Sequence, residues 1–266
     1  MSLLYEPKGK AREYSPLALN ITSGGCPHGC DYCYCKGVSQ GRWGLVPKVR
    51  NMSALDREAE MVSRQILLSF MGDPYSQDME SLDATRSVLS VLCRNRCSVA
   101  VLTKGGTRCL RDLATFQSWP DGRIKIGATL TFWNPETSAL HEPGAATPQD
   151  RVSALKALHE AGIKTWASIE PVIDPVESLE VIRQSLPYVD AYKVGKLNHR
   201  KNDTDWSAFG LASVDMIRKA GRGLYVKDDL RPYLPAGYLT ESECNSECNS
   251  ESLTLPDRPN ERDLFA

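Results

Sequence analysis

The sequence predicts an α/β fold in which a parallel sheet carries its helices on the outside, as an open or partial barrel. Short apolar runs alternate with amphipathic helical patterns six times between residues 17 and 220. Such alternation requires parallel strands joined by crossover helices. Six units are too few to close an eight-stranded barrel. With 266 residues, 41% of them hydrophobic, the chain can bury a core of this size.

The first expected strand, residues 17–21, runs into a loop rich in Gly, Pro and Cys. A helix is expected at 56–65, a second strand at 66–70 and a helix at 81–94. The third strand falls at 98–102, a helix near 110–117, and the fourth strand at 124–132. The next helix has the clearest signals: Thr147 caps it, Pro148 takes its first position, Asp150 its third, and Gly162 stops it. Val152, Leu155, Leu158 and Ala161 then share one face. A fifth strand at 165–169 precedes Asp174-Pro175-Val176-Glu177, which opens a capped helix with Val176, Leu179 and Ile182 expected to face inward. The sixth strand is 191–194 and its helix 208–220.

Three segments follow: a lead-in (1–16), the barrel (17–234) and a polar, flexible tail (235–266). Residues 241–251 of that tail nearly repeat Ser-Glu-Cys-Asn and hold few large apolar groups. Cys244 and Cys248 lie there, and two thiols without a nearby His make a weak metal site.

No run of about 18 apolar residues argues for a membrane span. The opening Met1-Ser2-Leu3-Leu4-Tyr5-Glu6-Pro7-Lys8 lacks the apolar core of a signal peptide, so a cytoplasmic location is expected. Nine cysteines are many for such a chain, and the odd count speaks against a closed disulfide framework. A net charge of −1 gives no global electrostatic case for nucleic acid. Residues 1–50, however, carry seven Lys/Arg against three acids, which suits a solvated surface or a phosphate-bearing partner.

The chemistry concentrates in Gly25-Cys26-Pro27-His28-Gly29-Cys30-Asp31-Tyr32-Cys33-Tyr34-Cys35. Cys26, Cys30 and Cys33 have the spacing to place three thiolates around one iron–sulfur cube. Four cysteines close a [4Fe–4S] cluster; three leave one iron open to a substrate or cofactor. Following the first strand, the loop lies at the C-terminal ends of the strands, where active sites of such folds gather. A structural zinc site is the alternative, with Cys35 or His28 as fourth ligand.

This arrangement resembles the radical S-adenosylmethionine (SAM) superfamily. Its mark is this cysteine spacing after the first strand of a (βα)6 partial TIM barrel, commonly with an aromatic residue before the last cysteine, as Tyr32 is here. The resemblance implies a [4Fe–4S] cluster on Cys26, Cys30 and Cys33, with SAM chelated at the open iron. It also implies that one electron from a flavodoxin- or ferredoxin-like donor cleaves SAM to a 5′-deoxyadenosyl radical, which abstracts a substrate hydrogen.

Further motifs are similar to the branch containing spore photoproduct lyase and its photolyase-like relatives. Met71-Gly72-Asp73-Pro74-Tyr75 stands where superfamily members hold the methionine amino group, which implies cofactor roles for Gly72, Asp73 and Pro74. Thr103-Lys104 closes the third strand, and the resemblance has Lys104 reach the SAM carboxylate. Thr129 and Thr131 fall where the ribose or methionyl end would lie, and Glu142-Pro143-Gly144-Ala145 with Arg151 matches the branch, Arg151 as a cofactor residue. Residues 6–16 look like the lead-in of photolyase-like members, and the resemblance covers about residues 5–200.

The implied substrate is a nucleobase, a thymine derivative in DNA. Two reactions stay open. In one, as in phage thymidine hypermodification, the substrate radical rearranges and an amino-acid-modified thymidine is isomerised; the site of action is then the host cytoplasm. In the other, a thymine lesion is split and a thiol returns the hydrogen. Cys35 is the candidate donor, while Cys93, Cys97 and Cys109 read as small buried hydrophobes. A non-catalytic zinc or iron–sulfur nucleic-acid-binding protein is the alternative of another class. Glu170, Tyr192, Lys193 and Lys196 are the expected substrate residues, with Asp174, Asn198 and His199 for polar contacts and Trp133 for stacking.

Overall fold

The computed structural model describes residues 2–35, 44–47, 49, 51–197 and 203–245. Its spine is one eight-stranded sheet. In spatial order the strands are β1 (Leu4–Tyr5), β2 (Leu17–Leu19), β5 (Ile66–Leu68), β6 (Val99–Thr103), β7 (Ile124–Thr129), β8 (Lys164–Ile169), β9 (Ala191–Val194) and β10 (Gly223–Val226). β1 runs antiparallel to β2, and all other neighbours are parallel. No pairing joins β1 to β10, so the sheet stays open, as expected for a partial barrel. A separate antiparallel pair, β3 (Thr22–Gly25) and β4 (Gly44–Pro47), brackets the cysteine loop.

The strands read as continuous apolar runs because both of their faces are covered. Ile66, Leu68, Val99 and Val101 pack outward in one core layer, while Leu67, Ala100 and Trp166 meet inside the curve of the sheet. Gly127 makes room there: a Cβ on it would stand 2.4 Å from Trp166 Cε2. The indole fills this space and donates to the Val101 carbonyl at 3.1 Å. Since side chains alternate along a strand, Leu102, Thr129 and Ser168, each two residues further on, face the same interior nearer the strand ends.

Several expected boundaries move. Helix α1 is Met52–Ala59 rather than 56–65, because Asn51 caps it by accepting from Ala54 N. Asp56 instead lies within the helix, bonded to Asn95 and Arg94. Helix α2 (Met79–Arg94) is capped by Asp78. The helix near 110–117 splits into a 3-10 turn, Gly106–Asp112, and a short α3 (Leu113–Gln117). A short α4 (Pro135–His141) precedes α5 (Pro148–Glu160), which starts at its Thr147 cap as the sequence predicts. In α6 (Pro175–Ser185) Asp174 is the cap, but the buried stripe is Ser178, Val181, Ile182 and Ser185. Val176 is 74% exposed, contrary to its expected inward position.

After α7 (Trp206–Lys219) comes β10, a seventh parallel strand beyond the six expected. The tail is also ordered further than expected. Tyr238 and Leu239 pack on the core, and α8 (Glu241–Cys244) carries a Thr240/Glu243 capping box. Glu243 pairs with Arg218 of α7 at 2.5 Å. Residues 246–266 with Cys248, and also Asn198 and His199, lie outside the described residues. Among the described residues no helix is long and apolar enough to cross a membrane.

Candidate active site

The C-terminal ends of the strands open into a cavity of about 630 Å³. The cysteine loop borders it from the β2 side, and Glu170 and Lys227 from the β8–β10 side. Cys26, Cys30 and Cys33 all line it. Two successive turns shape the loop: Gly29 N donates to Cys26 O and Cys33 N to Cys30 O, each at 3.2 Å.

The donor set fits a cluster. Burial, reinforced by the nearby Asp73 carboxylate, pushes the Cys26 thiol up to about 12. Burial likewise raises Cys30, with Lys104 pulling the other way. Thiolates in this setting require strong positive charge at the sulfurs, which bound iron supplies.

Next to the loop lies the turn at residues 70–75. Asn20 Oδ1 accepts from both Phe70 N and Met71 N at 2.9 Å and so sets the turn's path. Gly72 and Asp73 line the cavity, but the Asp73 carboxylate is already committed. It accepts from Thr103 Oγ1 at 2.5 Å, Tyr75 N at 2.8 Å and Lys104 N at 2.7 Å, and His28 Nδ1 stands 3.5 Å away. Asp73 therefore clamps this turn to the end of β6. Pro74 does not line the cavity; its carbonyl accepts from Thr85 of α2 at 2.7 Å. Lys104 does line it, and although burial favours its neutral form, Cys30 and Glu142 outweigh that and hold the ammonium above its ordinary pKa.

On β7, Thr129 faces the cavity as expected. Thr131 lies beyond the strand end, fully buried, with Oγ1 3.3 Å from Glu142. Arg151 is 1% exposed and absent from the cavity wall. It is ion-paired with buried Glu142 and donates to Thr129 O at 3.0 Å. Both Thr131 and Arg151 thus stand behind the site that the sequence reading had them touch.

The opposite wall is built from distant segments. Glu170, at the end of β8, accepts from the Tyr14 hydroxyl at 2.8 Å and pairs closely with Lys227, just past β10. Ser168 Oγ lies 2.8 Å from the same phenol, and Glu13 carboxylate 3.5 Å from the Lys227 ammonium. Burial alone would discharge Lys227, but the Glu170 and Glu13 carboxylates beside it raise its pKa well above the ordinary range. Burial and the Glu170 charge raise Tyr14, so the phenol stays protonated. Sequence reasoning missed Tyr14 and Lys227. The signal for Lys227 was present in Leu224-Tyr225-Val226, a β-prone run after Gly221.

The other expected substrate residues stand elsewhere. Tyr192 points outward from β9, 1% exposed, with its hydroxyl 2.9 Å from Ser185 Oγ of α6. Lys193 faces inward but is buried below the cavity, where its ammonium donates to Glu13 O and sits 5.1 Å from the Tyr225 ring. Lys196 lies over the Tyr233 ring at 4.7 Å and donates to its hydroxyl at 3.2 Å, outside the cavity wall. Trp133 packs in the outer core and Asp174 caps α6. Cys35 does line the cavity, its thiol 3.4 Å from Phe70 O and 3.6 Å from Met71 Sδ.

Comparison with known proteins identifies the family. An uncharacterised protein of Methanocaldococcus jannaschii is 29% identical over 180 residues, covering 65% of this chain and 68% of that protein. An uncharacterised protein of Acidianus two-tailed virus is 21% identical over 201 residues, covering 69% of this chain and 65% of that protein. Among solved structures, a spore photoproduct lyase variant superposes with a TM-score of 0.63 at 12% identity, over 84% of this chain and 78% of that one. Streptococcus suis SuiB superposes with a TM-score of 0.61 at 11% identity over 79% of this chain, which spans about half of the SuiB chain, 49%. The family model for the radical SAM superfamily matches residues 20–186, more than half of the sequence. The chain therefore belongs to the radical SAM superfamily, whose members use a [4Fe–4S] cluster and S-adenosylmethionine.

Proposed function

We propose that this radical SAM enzyme acts on a thymine derivative in DNA and isomerises an amino-acid-modified thymidine. One observation carries the reading: a single cavity joins the three cluster cysteines to a polar wall of Tyr14, Ser168, Glu170 and Lys227. Its volume of about 630 Å³ lies in the range that encloses a small-molecule ligand. The wall sets a carboxylate acceptor beside an ammonium donor. That pattern suits the donor and acceptors of a pyrimidine edge, or the ammonium and carboxylate of an amino-acid substituent. Lys8 and Lys10 of the lead-in also border the cavity, where a phosphodiester would pass. The fold likeness to spore photoproduct lyase, solved with a dinucleoside spore photoproduct, supports a nucleotide substrate.

In this reading Cys26, Cys30 and Cys33 would hold the cluster, and Gly72, Lys104 and Thr129, which line the same cavity, would hold SAM. With a flavodoxin- or ferredoxin-like donor in the cytoplasm as reductant, the chemistry such a cluster and SAM would supply there is a 5′-deoxyadenosyl radical. The chain's own residues orient and shield. Asp73 and Asn20 fix the turn, and Lys104 offers its ammonium to a carboxylate. Leu102, Phe70, Met71 and Leu197 keep water from the cavity, and Glu170 with Lys227 aligns the polar end of the substrate.

A second reading, lyase-type repair of a thymine lesion, is favoured by the Cys35 thiol on the cavity wall. The test is anaerobic reconstitution with iron and sulfide, reduction, and addition of SAM with modified or lesion-bearing DNA, followed by nucleoside mass analysis. The isomerase reading expects a product of unchanged mass and no net SAM consumption. Release of two thymines, abolished by Cys35→Ala, would establish the lyase instead. Formation of 5′-deoxyadenosine with no change in any thymidine derivative would overturn both.

A further inference from the structure

We infer that Glu142 and Arg151 are positioning residues for the SAM site, acting through Tyr32 and the cysteine loop without bordering the cavity themselves. The inference rests on membership of the radical SAM superfamily and not on the thymine reading. Tyr32 and Lys104 line the cavity, whereas Glu142 and Arg151 do not and are 2% and 1% exposed. The Tyr32 hydroxyl donates to Glu142 Oε1, and the Arg151 guanidinium pairs with Glu142 Oε2. Ser138 Oγ donates to the same carboxylate at 3.2 Å. Arg151 is itself fixed by Ala146 O at 2.9 Å and Thr129 O at 3.0 Å. On the cavity side, the Lys104 ammonium sits 5.4 Å from the centre of the Tyr32 ring. A continuous set of contacts thus runs from α5 through Glu142 and Tyr32 to Lys104.

The backbone around Glu142 reinforces this path. Gly144 N donates to His28 O, Asp31 N donates to His141 O, and Ala146 N donates to Lys104 O, each at 2.9 Å. Residues 141–146 therefore bind the cysteine loop and the end of β6 at once. Gly144 is required for the fit, since a Cβ there would stand 2.2 Å from Pro27 O. Groups that orient a metal site from behind typically change its affinity without contacting it.

The test uses the full chain, reconstituted anaerobically. Tyr32→Phe removes one oxygen and leaves the Glu142–Arg151 pair intact. Iron and sulfide content should stay at the unaltered level, while the Kd for SAM rises about tenfold, typical of groups behind a metal site. The change that SAM produces in the EPR spectrum of the reduced cluster should weaken in parallel. Glu142→Gln should have a similar effect, and the combined variant should be no weaker than the weaker single one, because both break one path. A Tyr32→Phe protein that binds SAM within about twofold of the unaltered chain, with its EPR response unchanged, overturns the inference whether or not Glu142→Gln folds. Gly144→Ala should lose iron to a chelator faster than the unaltered chain; an equal rate would remove the backbone part of the argument.

Discussion

The two sides of the cavity are assembled differently. On the cysteine side, short segments after β2, β5, β6 and β7 are stitched together by backbone hydrogen bonds and by two buried carboxylates, Asp73 and Glu142. On the β8–β10 side, Tyr14, Glu170 and Lys227 come from sequence positions up to 213 residues apart and are held by buried charge. Local backbone turns leave a motif in the sequence; distant charge pairs leave none. The first side spreads its support over many backbone bonds, so a side-chain change behind it alters SAM affinity without removing the cluster, while the second depends on each charged partner.

Cys30→Ala should break the contrast most sharply. It removes one of three thiols from the cysteine side, so iron content and 5′-deoxyadenosine formation should fall to background. The thermal midpoint should move much less, because Cys30 contributes little to the core beyond its own side chain. Turnover that survives with a full cluster would reassign the ligands.

Lys227→Met is the matching change on the other side. Lys227 is 1% exposed and faces Glu170 and Glu13, so its loss leaves two buried carboxylates without their cation. Breaking a buried pair from one side costs about 3–5 kcal/mol. Chemical denaturation should show a loss of that order, with iron binding retained in the protein that folds. Glu170→Gln, which keeps the shape, should raise the substrate KM while leaving 5′-deoxyadenosine formation without substrate intact. Equal losses of iron from both variants would show that the two sides are not independent.

What was legible follows the same division. The Cys26–Cys33 spacing, the turn at Gly72 and the strand-end Lys104 were readable because each lies within a few residues of a strand end, and strand order alone puts them at the mouth. Thr131 and Arg151 were misplaced because the sequence does not show that β7 stops at Thr129 or that Glu142 folds under it. Tyr192 was misassigned for a simpler reason. Alternation along β9 gives Lys193 the inward face and Tyr192 the outward one, so both cannot serve the cavity. Lys227 was missed because the six-unit reading ended before β10.

The tail adds a pH-dependent support to the second side. Arg218, against the opposing effect of burial, holds the Glu243 carboxyl at about 2 rather than the ordinary 4.5. The same segment accepts from Arg231 at Cys244 O, and Arg231 also donates to Val226 O at 2.7 Å, next to Lys227. A depressed carboxylate stabilises the fold fully above its unfolded pKa, and the support is lost as pH falls through the folded value. The affected window therefore runs from about 4.5 down to about 2. Glu243→Gln should cost about 1 kcal/mol at neutral pH and flatten stability across that window, as read by denaturation at each pH. An unchanged acid limb would mean that the tail does not brace β10.

The smallest effect tests the alternation argument directly. Tyr192 and Lys193 are neighbours on β9, yet one hydroxyl reaches Ser185 under α6 while the other side chain reaches the lead-in beneath the cavity. Tyr192→Phe leaves the ring in the outer core and removes only the hydroxyl, so stability should fall by about 1 kcal/mol, the net worth of one buried hydrogen bond. Because that hydroxyl points away from the site, the KM for substrate and the Kd for SAM should not move. A shift in either constant, with stability unchanged, would mean that β9 presents its other face to the cavity. It would then exchange the roles of every residue on that strand, since a one-residue slip reverses all of its side chains.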